Sequence, residues 1–323
     1  MVLGQATWRT GIERDTLLGL ARGAHALMGA TIKRAPIDGD FLDRLTELRI
    51  VSKYTIGVED VDLDAATARG VLVTHCPTEA NWGGVAEGTV GFMLTLLKRV
   101  RERDRHVKAG GWRDSSLMGT YLGQRKDGYS GLTIGIVGLG RCGSRLAELL
   151  STWRVRMLAC DPYVEQDKLE RLGVVRADLP TLLRESDVVT LHVTLTEETR
   201  GFIGTRELAT MKPSAILINT SRGAVVDLDA LCDALETDGI AAAALDVLPE
   251  EPPHEQDRIL AQGDKVLLCP HMISANHPGT LQPAIPWATD ATLAALRSRV
   301  PEHVCNVDAV PRWLARFGDR PLI

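Results

Sequence analysis

A chain of 323 residues, 45% hydrophobic and 24% charged, can bury a large core and favours two domains over one. Its formal charge of −5, with no basic cluster beyond the helix-borne segment Lys98–Arg103, argues against nucleic acid or an anionic membrane as a partner. No apolar run approaches the roughly 18 residues a membrane span needs, and Met1–Ala6 has neither a basic leader nor a long apolar stretch, so neither export nor insertion is expected. The six cysteines (Cys76, Cys142, Cys160, Cys232, Cys269, Cys305) are scattered, without a Cys-x-x-Cys pair or metal-ligand spacing with histidine. Reduced cytoplasmic thiols and no bound metal are the expectation.

In chain order, a short helical stretch over Thr16–Arg22 comes first. The strand-like runs Arg49–Lys53 and Val71–Thr74 flank a helical Val61–Ala68, which predicts a parallel βαβ arrangement. Apolar residues at helical spacing (Val90, Phe92, Met93, Leu96, Leu97, Val100) predict one long helix from Val85 to Lys108, of a length suited to linking two domains. Gly110–Gly131, rich in Gly, Ser, Arg and Tyr, reads as a loop. Strands are then expected at Leu132–Val137, Val155–Cys160, Val188–Val193, Ala215–Ile218, Ala241–Leu245 and Lys265–Leu268, separated by helical segments that include Ser144–Thr152 and Leu228–Leu235. That rhythm is the pattern of an α/β doubly wound parallel sheet. The tail, with Pro278, Pro283, Pro286, Pro301 and Pro311, offers one helix over Asp290–Arg297 and is expected to return to the first domain.

The turn Gly138-Leu139-Gly140-Arg141-Cys142-Gly143 is weak evidence by its glycines alone, because turns collect glycine. Here it directly follows the apolar strand Leu132–Val137 and opens a helical pattern, the context in which a turn cradles a pyrophosphate. Gly138 would permit the tight turn, Gly140 the approach of a phosphate, and Gly143 the packing of helix on strand. The amides of Arg141 and Cys142 at the helix start would face the anion. Asp161 ends the next strand about twenty residues on, where a carboxylate accepts both ribose hydroxyls and repels a 2′-phosphate. Pro162 and Tyr163 supply no arginine for such a phosphate, so NAD is expected rather than NADP.

Polar residues recur at the carboxyl ends of the expected strands: Asp161, His192, Asn219–Arg222, Asp246 and His271. Ligand sites in open α/β sheets lie along that edge. Arg222, before Gly223, can clamp a carboxylate bidentately or polarise a carbonyl. His271, after Pro270, can act as a general acid or base, and the stretch Asp246–Pro252 supplies carboxylates able to hydrogen-bond it. Singly, His271 reads as a structural loop histidine and Arg222 as a surface ion-pair partner; their shared edge carries the functional reading.

These stretches, with Gly57–Leu63, Val85-Ala86-Glu87, Ser186–His192, Met211-Lys212-Pro213, Asn219–Gly223, Leu245-Asp246-Val247, Glu251-Pro252 and Pro270-His271 in the same order, resemble the D-2-hydroxyacid dehydrogenase family over nearly the whole chain. The resemblance implies a Rossmann NAD-binding domain over residues 85–274 and a smaller flavodoxin-like substrate domain over 1–84 and 275–323, the latter expected to lack its first βα unit. It implies Arg222, Glu251 and His271 as the catalytic triad, Glu251 rather than Glu250 because the family's glutamate precedes proline. It further implies that Asp246 meets the nicotinamide end, that Thr220, Ser221 and His192 line the cofactor, and that the backbone at Ile56-Gly57 receives a substrate carboxylate, with Tyr54 and Thr55 shaping the pocket. The implied reaction interconverts a small D-2-hydroxy acid and its 2-keto acid, in a homodimer.

Several departures from the family pattern bear on substrate. Lys53 stands where relatives with doubly anionic substrates carry arginine, a hint of a second anionic group such as a phosphate, set against the reading as an ordinary strand-end lysine. Thr194 replaces a usual proline, Met272–His277 replaces a run of small residues, and the loop Ser115–Tyr129 is longer than usual. Glutamate at Glu251, where formate-oxidising relatives carry glutamine, argues against formate. Phosphite oxidation, and an NAD-sensing corepressor-like binding role, are the alternatives.

Overall fold

The computed structural model describes residues 12–29, 35–276 and 282–323. Residues 1–11, on which the reading of the amino terminus rests, lie outside the described residues, as do His277 and Pro278. The chain opens with α1 (Arg14–Ala21), β1 (Ala26–Gly29), α2 (Gly39–Asp43), β2 (Ile50–Lys53), α3 (Leu63–Arg69) and β3 (Leu72–Thr74). Two helices follow, α4 (Glu79–Leu97) and α5 (Val100–Lys108). Next come β4 (Thr133–Val137), α6 (Arg141–Leu150), β5 (Arg156–Cys160), α7 (Gln166–Leu172), β6 (Val175–Arg176), α8 (Leu179–Glu185) and β7 (Val188–Leu191). The chain ends through α9 (Thr205–Thr210), β8 (Ile216–Asn219), α10 (Leu228–Glu236), β9 (Ala242–Leu245), β10 (Val266–Leu268), α11 (Ala284–Leu296) and α12 (Val310–Phe317). It divides into two units, Trp82–Asn276 and the discontinuous Met1–Asn81 with His277–Ile323.

The larger unit is built on a seven-stranded sheet in the order β10-β9-β8-β7-β4-β5-β6, with parallel pairing throughout. The interior strands β7 and β8 are buried at every position, as a sheet covered by helices on both faces requires. Their period-2 alternation divides the side chains between two cores. Val189, Leu191 and Leu217 enter one, while Val188, Ile216 and Ile218 enter the other, and β9 divides likewise between Leu245 and Ala244. Strand order reverses between β4 and β7, and a crevice opens at the carboxyl ends of strands at such a reversal.

The smaller unit has a three-stranded parallel sheet with β2 in the middle. Val51 and Val73 face a core with Phe41 and Leu48, whereas Ile50 and Leu72 face Trp313 and Phe317 of α12. The Trp313 indole donates to the Arg49 carbonyl at 3.0 Å, so its one polar atom is satisfied within the core.

Three differences from the expected elements have physical causes. The long helix is two: Arg99 adopts a left-handed conformation (φ 51°) between α4 and α5, while Lys98 donates to Thr120 O at 2.6 Å and Arg99 to Ser116 O. The apolar periodicity reaches Val100, but α5 buries no residue, so no core holds the axis straight. β1 is too short to stand out in sequence. β6 is a two-residue edge strand exposed at both positions, with no apolar signature to read.

Candidate active site

The glycine turn sits at the end of β4, beside the reversal of strand order. Gly138 has φ 91°, and a Cβ there would lie 2.7 Å from the His192 carbonyl oxygen, so glycine is required twice over. At Gly143 a Cβ would meet Gly138 O at 2.1 Å, because the first turn of α6 lies against the loop that precedes it. Gly140 differs: a Cβ there meets nothing within 4 Å and its φ is −70°. Nothing in its own chain demands glycine at 140. The open space in front of it, at the amino end of α6, fits the approach of a pyrophosphate. Arg141 and Cys142 form the first turn of that helix, and burial raises the Cys142 thiol pKa.

Asp161 holds the turn from the neighbouring strand: Oδ2 accepts the Leu139 N–H at 2.7 Å and Oδ1 accepts the Tyr163 N–H at 2.9 Å. A carboxylate oxygen accepts more than one bond, so both retain capacity for hydroxyl donors. Lys168 also reaches the loop, donating to Leu139 O at 2.7 Å, a contact no sequence motif announced. His192 is half-buried, with Nε2 3.0 Å from Thr190 Oγ1 and Nδ1 buried without a protein partner. Burial pushes its pKa down to about 4, so it is neutral and no acid–base group near neutral pH.

Beyond β8, Asn219 organises the loop that carries Arg222. Its Oδ1 accepts from the Ser221 amide at 3.0 Å and hydroxyl at 2.8 Å, while its Nδ2 donates to Arg222 O at 2.9 Å. Thr220 Oγ1 pairs with Thr89 Oγ1 of α4 at 3.2 Å. The half-buried Arg222 guanidinium folds back to donate to Ser221 O at 2.8 Å. Gly223 then lets this loop touch the next one, since a Cβ there would lie 2.0 Å from the Leu248 carbonyl carbon.

Glu251 and His271 meet on that second loop. Glu251 Oε2 is 2.9 Å from His271 Nδ1, and Oε1 accepts the Leu248 N–H at 3.1 Å. An ionised carboxylate only accepts, so Nδ1 carries the proton and Nε2 is left to exchange one. Glu250 instead pairs with His254 at 2.7 Å, which leaves it apart from His271. His271 is in the left-handed region (φ 54°), and Asp246 supports it there. The Asp246 carbonyl accepts the His271 N–H at 2.8 Å, and its Oδ1 accepts the amides of Met272 at 2.9 Å and Ile273 at 3.1 Å. Asp246 is 3% exposed, and burial raises its pKa against those hydrogen bonds. The carboxylate is thus committed to the His271 loop, a role the sequence reading missed. Two α4 glycines, Gly84 and Gly88, let this loop lie on the helix: Cβ atoms there would meet Ser274 and Ile273.

In the smaller unit, Lys53 does not stand ready for an anion. Its side chain is 1% exposed and pairs with Asp60 inside the core. Burial lowers its pKa while Asp60 opposes the shift. The expectation that Lys53 signals a second anionic group is therefore corrected: the side chain is enclosed and its charge is directed to Asp60. Tyr54, Ile56 and Gly57 form a half-exposed turn directly after β2, with the Tyr54 N–H donating to Gly29 O at 2.8 Å. Burial raises the Tyr54 pKa.

The family profile described as "D-isomer specific 2-hydroxyacid dehydrogenase, NAD binding domain" matches residues 90–272. The chain belongs to the D-isomer specific 2-hydroxyacid dehydrogenase family. It is 38% identical over 306 residues to a glyoxylate reductase of Aeropyrum pernix, covering 92% of this chain and 87% of that one. To a D-3-phosphoglycerate dehydrogenase of Archaeoglobus fulgidus it is 34% identical over 282 residues, covering 87% of this chain but 51% of that one. The chain thus spans about half the length of that relative. Among solved structures, the TT0316 protein from Thermus thermophilus superposes with a TM-score of 0.80 at 32% identity, covering 91% and 90% of the two chains. A D-lactate dehydrogenase from Aquifex aeolicus, complexed with NAD and lactic acid, gives 0.75 at 26% identity, covering 93% and 87%. The family's cofactor is NAD, and the glycine turn with Asp161 fits it. Among the described residues no helix is long and apolar enough to cross a membrane, and no cluster of metal-ligating side chains occurs.

Proposed function

We propose that this dehydrogenase interconverts a small D-2-hydroxy acid and its 2-keto acid, with Arg222, Glu251 and His271 as the reacting set. The observation that carries the reading is the 2.9 Å contact between His271 Nδ1 and Glu251 Oε2, with the glutamate's other oxygen fixed by the Leu248 amide. Such a pair orients the ring and fixes its tautomer. NAD, when bound, supplies or accepts the hydride. His271 Nε2 then gives a proton to the keto oxygen during reduction and takes it from the hydroxyl during oxidation. Arg222 binds the carboxylate and offsets charge growing on the oxygen. In the smaller unit, the half-exposed turn at Tyr54, Ile56 and Gly57 is the segment suited to receive a carboxylate.

With Lys53 buried, a small monoanionic keto acid of the glyoxylate class is the substrate we favour. The protein is further read as a cytoplasmic homodimer. Trp112, Met118, Val100 and Val107 are 75%, 72%, 51% and 50% exposed on one stretch of the larger unit, an apolar display that subunit contact would cover. Light scattering in solution tests the dimer. The function is tested by following NADH oxidation with glyoxylate, pyruvate, hydroxypyruvate and 3-phosphohydroxypyruvate. Turnover with at least one of the first three is expected. Absence of turnover with all four refutes the reading.

A further inference from the structure

The turn after β2 is held by its carbonyls. Thr55 O accepts the Cys76 N–H at 3.1 Å, Ile56 O lies 3.2 Å from His75 Nδ1, and Gly57 O accepts the Thr55 hydroxyl at 2.7 Å. In a trans peptide the carbonyl and the following N–H point in opposite directions. Tying these three carbonyls therefore aims the amides of Ile56, Gly57 and Val58 away from their anchors. None of these amides donates to a backbone acceptor among the described residues. A half-exposed turn with successive uncommitted amides is an anion-binding concavity. Among the described residues, His75 is the side chain that grips this turn from outside it, and the amide it aims is that of Gly57.

His75 is itself placed by tertiary structure. It follows β3 directly, its N–H donates to His303 O at 3.3 Å, and Thr74 bridges Val304 in antiparallel register. Its ring lies 6.1 Å from that of His303, which stacks on Trp287 at 4.9 Å. Because a carbonyl only accepts, Nδ1 must carry the proton, and the tautomer is set.

We propose that His75 is a positioning residue for the substrate carboxylate: its Nδ1–H holds the Ile56 carbonyl so that the Gly57 amide faces the anion. The proposal rests on the reading above that this turn receives a carboxylate. A purely packing role would depend on the ring, whereas a positioning role depends on the donor. The test separates the two. His75→Phe keeps a ring against His303 and removes the donor; His75→Asn removes the ring and keeps an N–H.

For each protein, kcat and KM with glyoxylate, the inhibition constant of oxamate as a carboxylate probe, and NADH affinity are measured beside the melting temperature. In H75F, KM and the oxamate constant are expected to rise about tenfold, the scale of one lost hydrogen bond, while kcat and NADH affinity change less than about twofold. H75N recovers most of that loss. An H75F protein with unchanged KM and oxamate inhibition, or an H75N protein impaired as much as H75F, overturns the proposal while leaving the dehydrogenase reading intact. Wild-type protein inactive on every keto acid overturns the reading and the proposal with it. Should both variants fold poorly, the imidazole ¹⁵N shifts of His75 in the wild-type protein decide: a protonated Nδ1 supports the proposal and a bare Nδ1 overturns it.

Discussion

Gly223→Ala tests the catalytic geometry directly. An added Cβ would lie 2.0 Å from the Leu248 carbonyl carbon, 2.2 Å from its oxygen and 2.3 Å from Pro249 N. All three are backbone atoms, so no side chain can swing aside. Ordinary contact begins at 3.4 Å, so the loop carrying Arg222 and the loop carrying Glu251 must part by about 1.4 Å. Overpacking of this kind costs about 1–3 kcal/mol. For a unit of this size that lowers Tm by about 2–12 °C. A displacement near 1 Å between reacting groups costs about 100-fold in rate. The expected G223A protein therefore melts several degrees lower, loses about two orders of magnitude in kcat/KM and retains most of its NADH affinity. Gly140→Ala is the contrasting variant, because a Cβ there meets no atom within 4 Å and φ is negative. Its Tm should match the wild type, while NADH binding weakens at least about tenfold as the methyl group meets the pyrophosphate. Calorimetry, NADH fluorescence titration and steady-state kinetics with glyoxylate read all three quantities. A G223A protein that loses several degrees yet keeps wild-type kcat/KM refutes the claim that contact between these loops sets the reacting geometry.

His271→Ala should cut kcat by about two to four orders of magnitude with NADH affinity nearly intact, the loss expected of a general acid–base group; near-normal turnover would remove His271 from the mechanism. Burial of His192 gives a stability slope. Its pKa is lowered from 6.5 to about 4, so between those values the unfolded chain binds more protons than the folded one. Stability should be insensitive to this group above about pH 6.5, fall as pH drops through the window, and level off below about pH 4, by about 3 kcal/mol in all. Denaturant titrations of His192→Asn should show that slope flattened, and an unchanged slope would refute the cause. Lys53→Met removes the ammonium that pairs with Asp60 inside the core and should lower stability in denaturant titration. Its preference between glyoxylate and 3-phosphohydroxypyruvate should stay as in the wild type, and a shift toward the monoanion would return Lys53 to substrate recognition.

Much of the larger unit was legible because its strands are buried on both faces. Val188–Leu191 and Ile216–Asn219 read as largely apolar runs, and each ends on the polar edge where a doubly wound sheet collects its ligand groups. β6 was not legible, since a two-residue edge strand with both side chains exposed has no pattern. Neither was the break at Arg99, which answers to partners at Ser116 and Thr120 rather than to helix propensity. Lys53 left two readings open because charge is visible in sequence and burial is not.

The glycine spacing, Asp161 and the order of Arg222, Glu251 and His271 are local or ordered features, and the sequence alone determined the fold class and family from them. The apposition of the Gly223 loop to Leu248, the commitment of Asp246 to the amides after His271, the pairing of Lys53 with Asp60 and the grip of His75 on Ile56 were decided only by tertiary structure. Each joins segments separated along the chain through backbone groups or buried charges, and one residue's chemistry does not reveal which distant group will satisfy it.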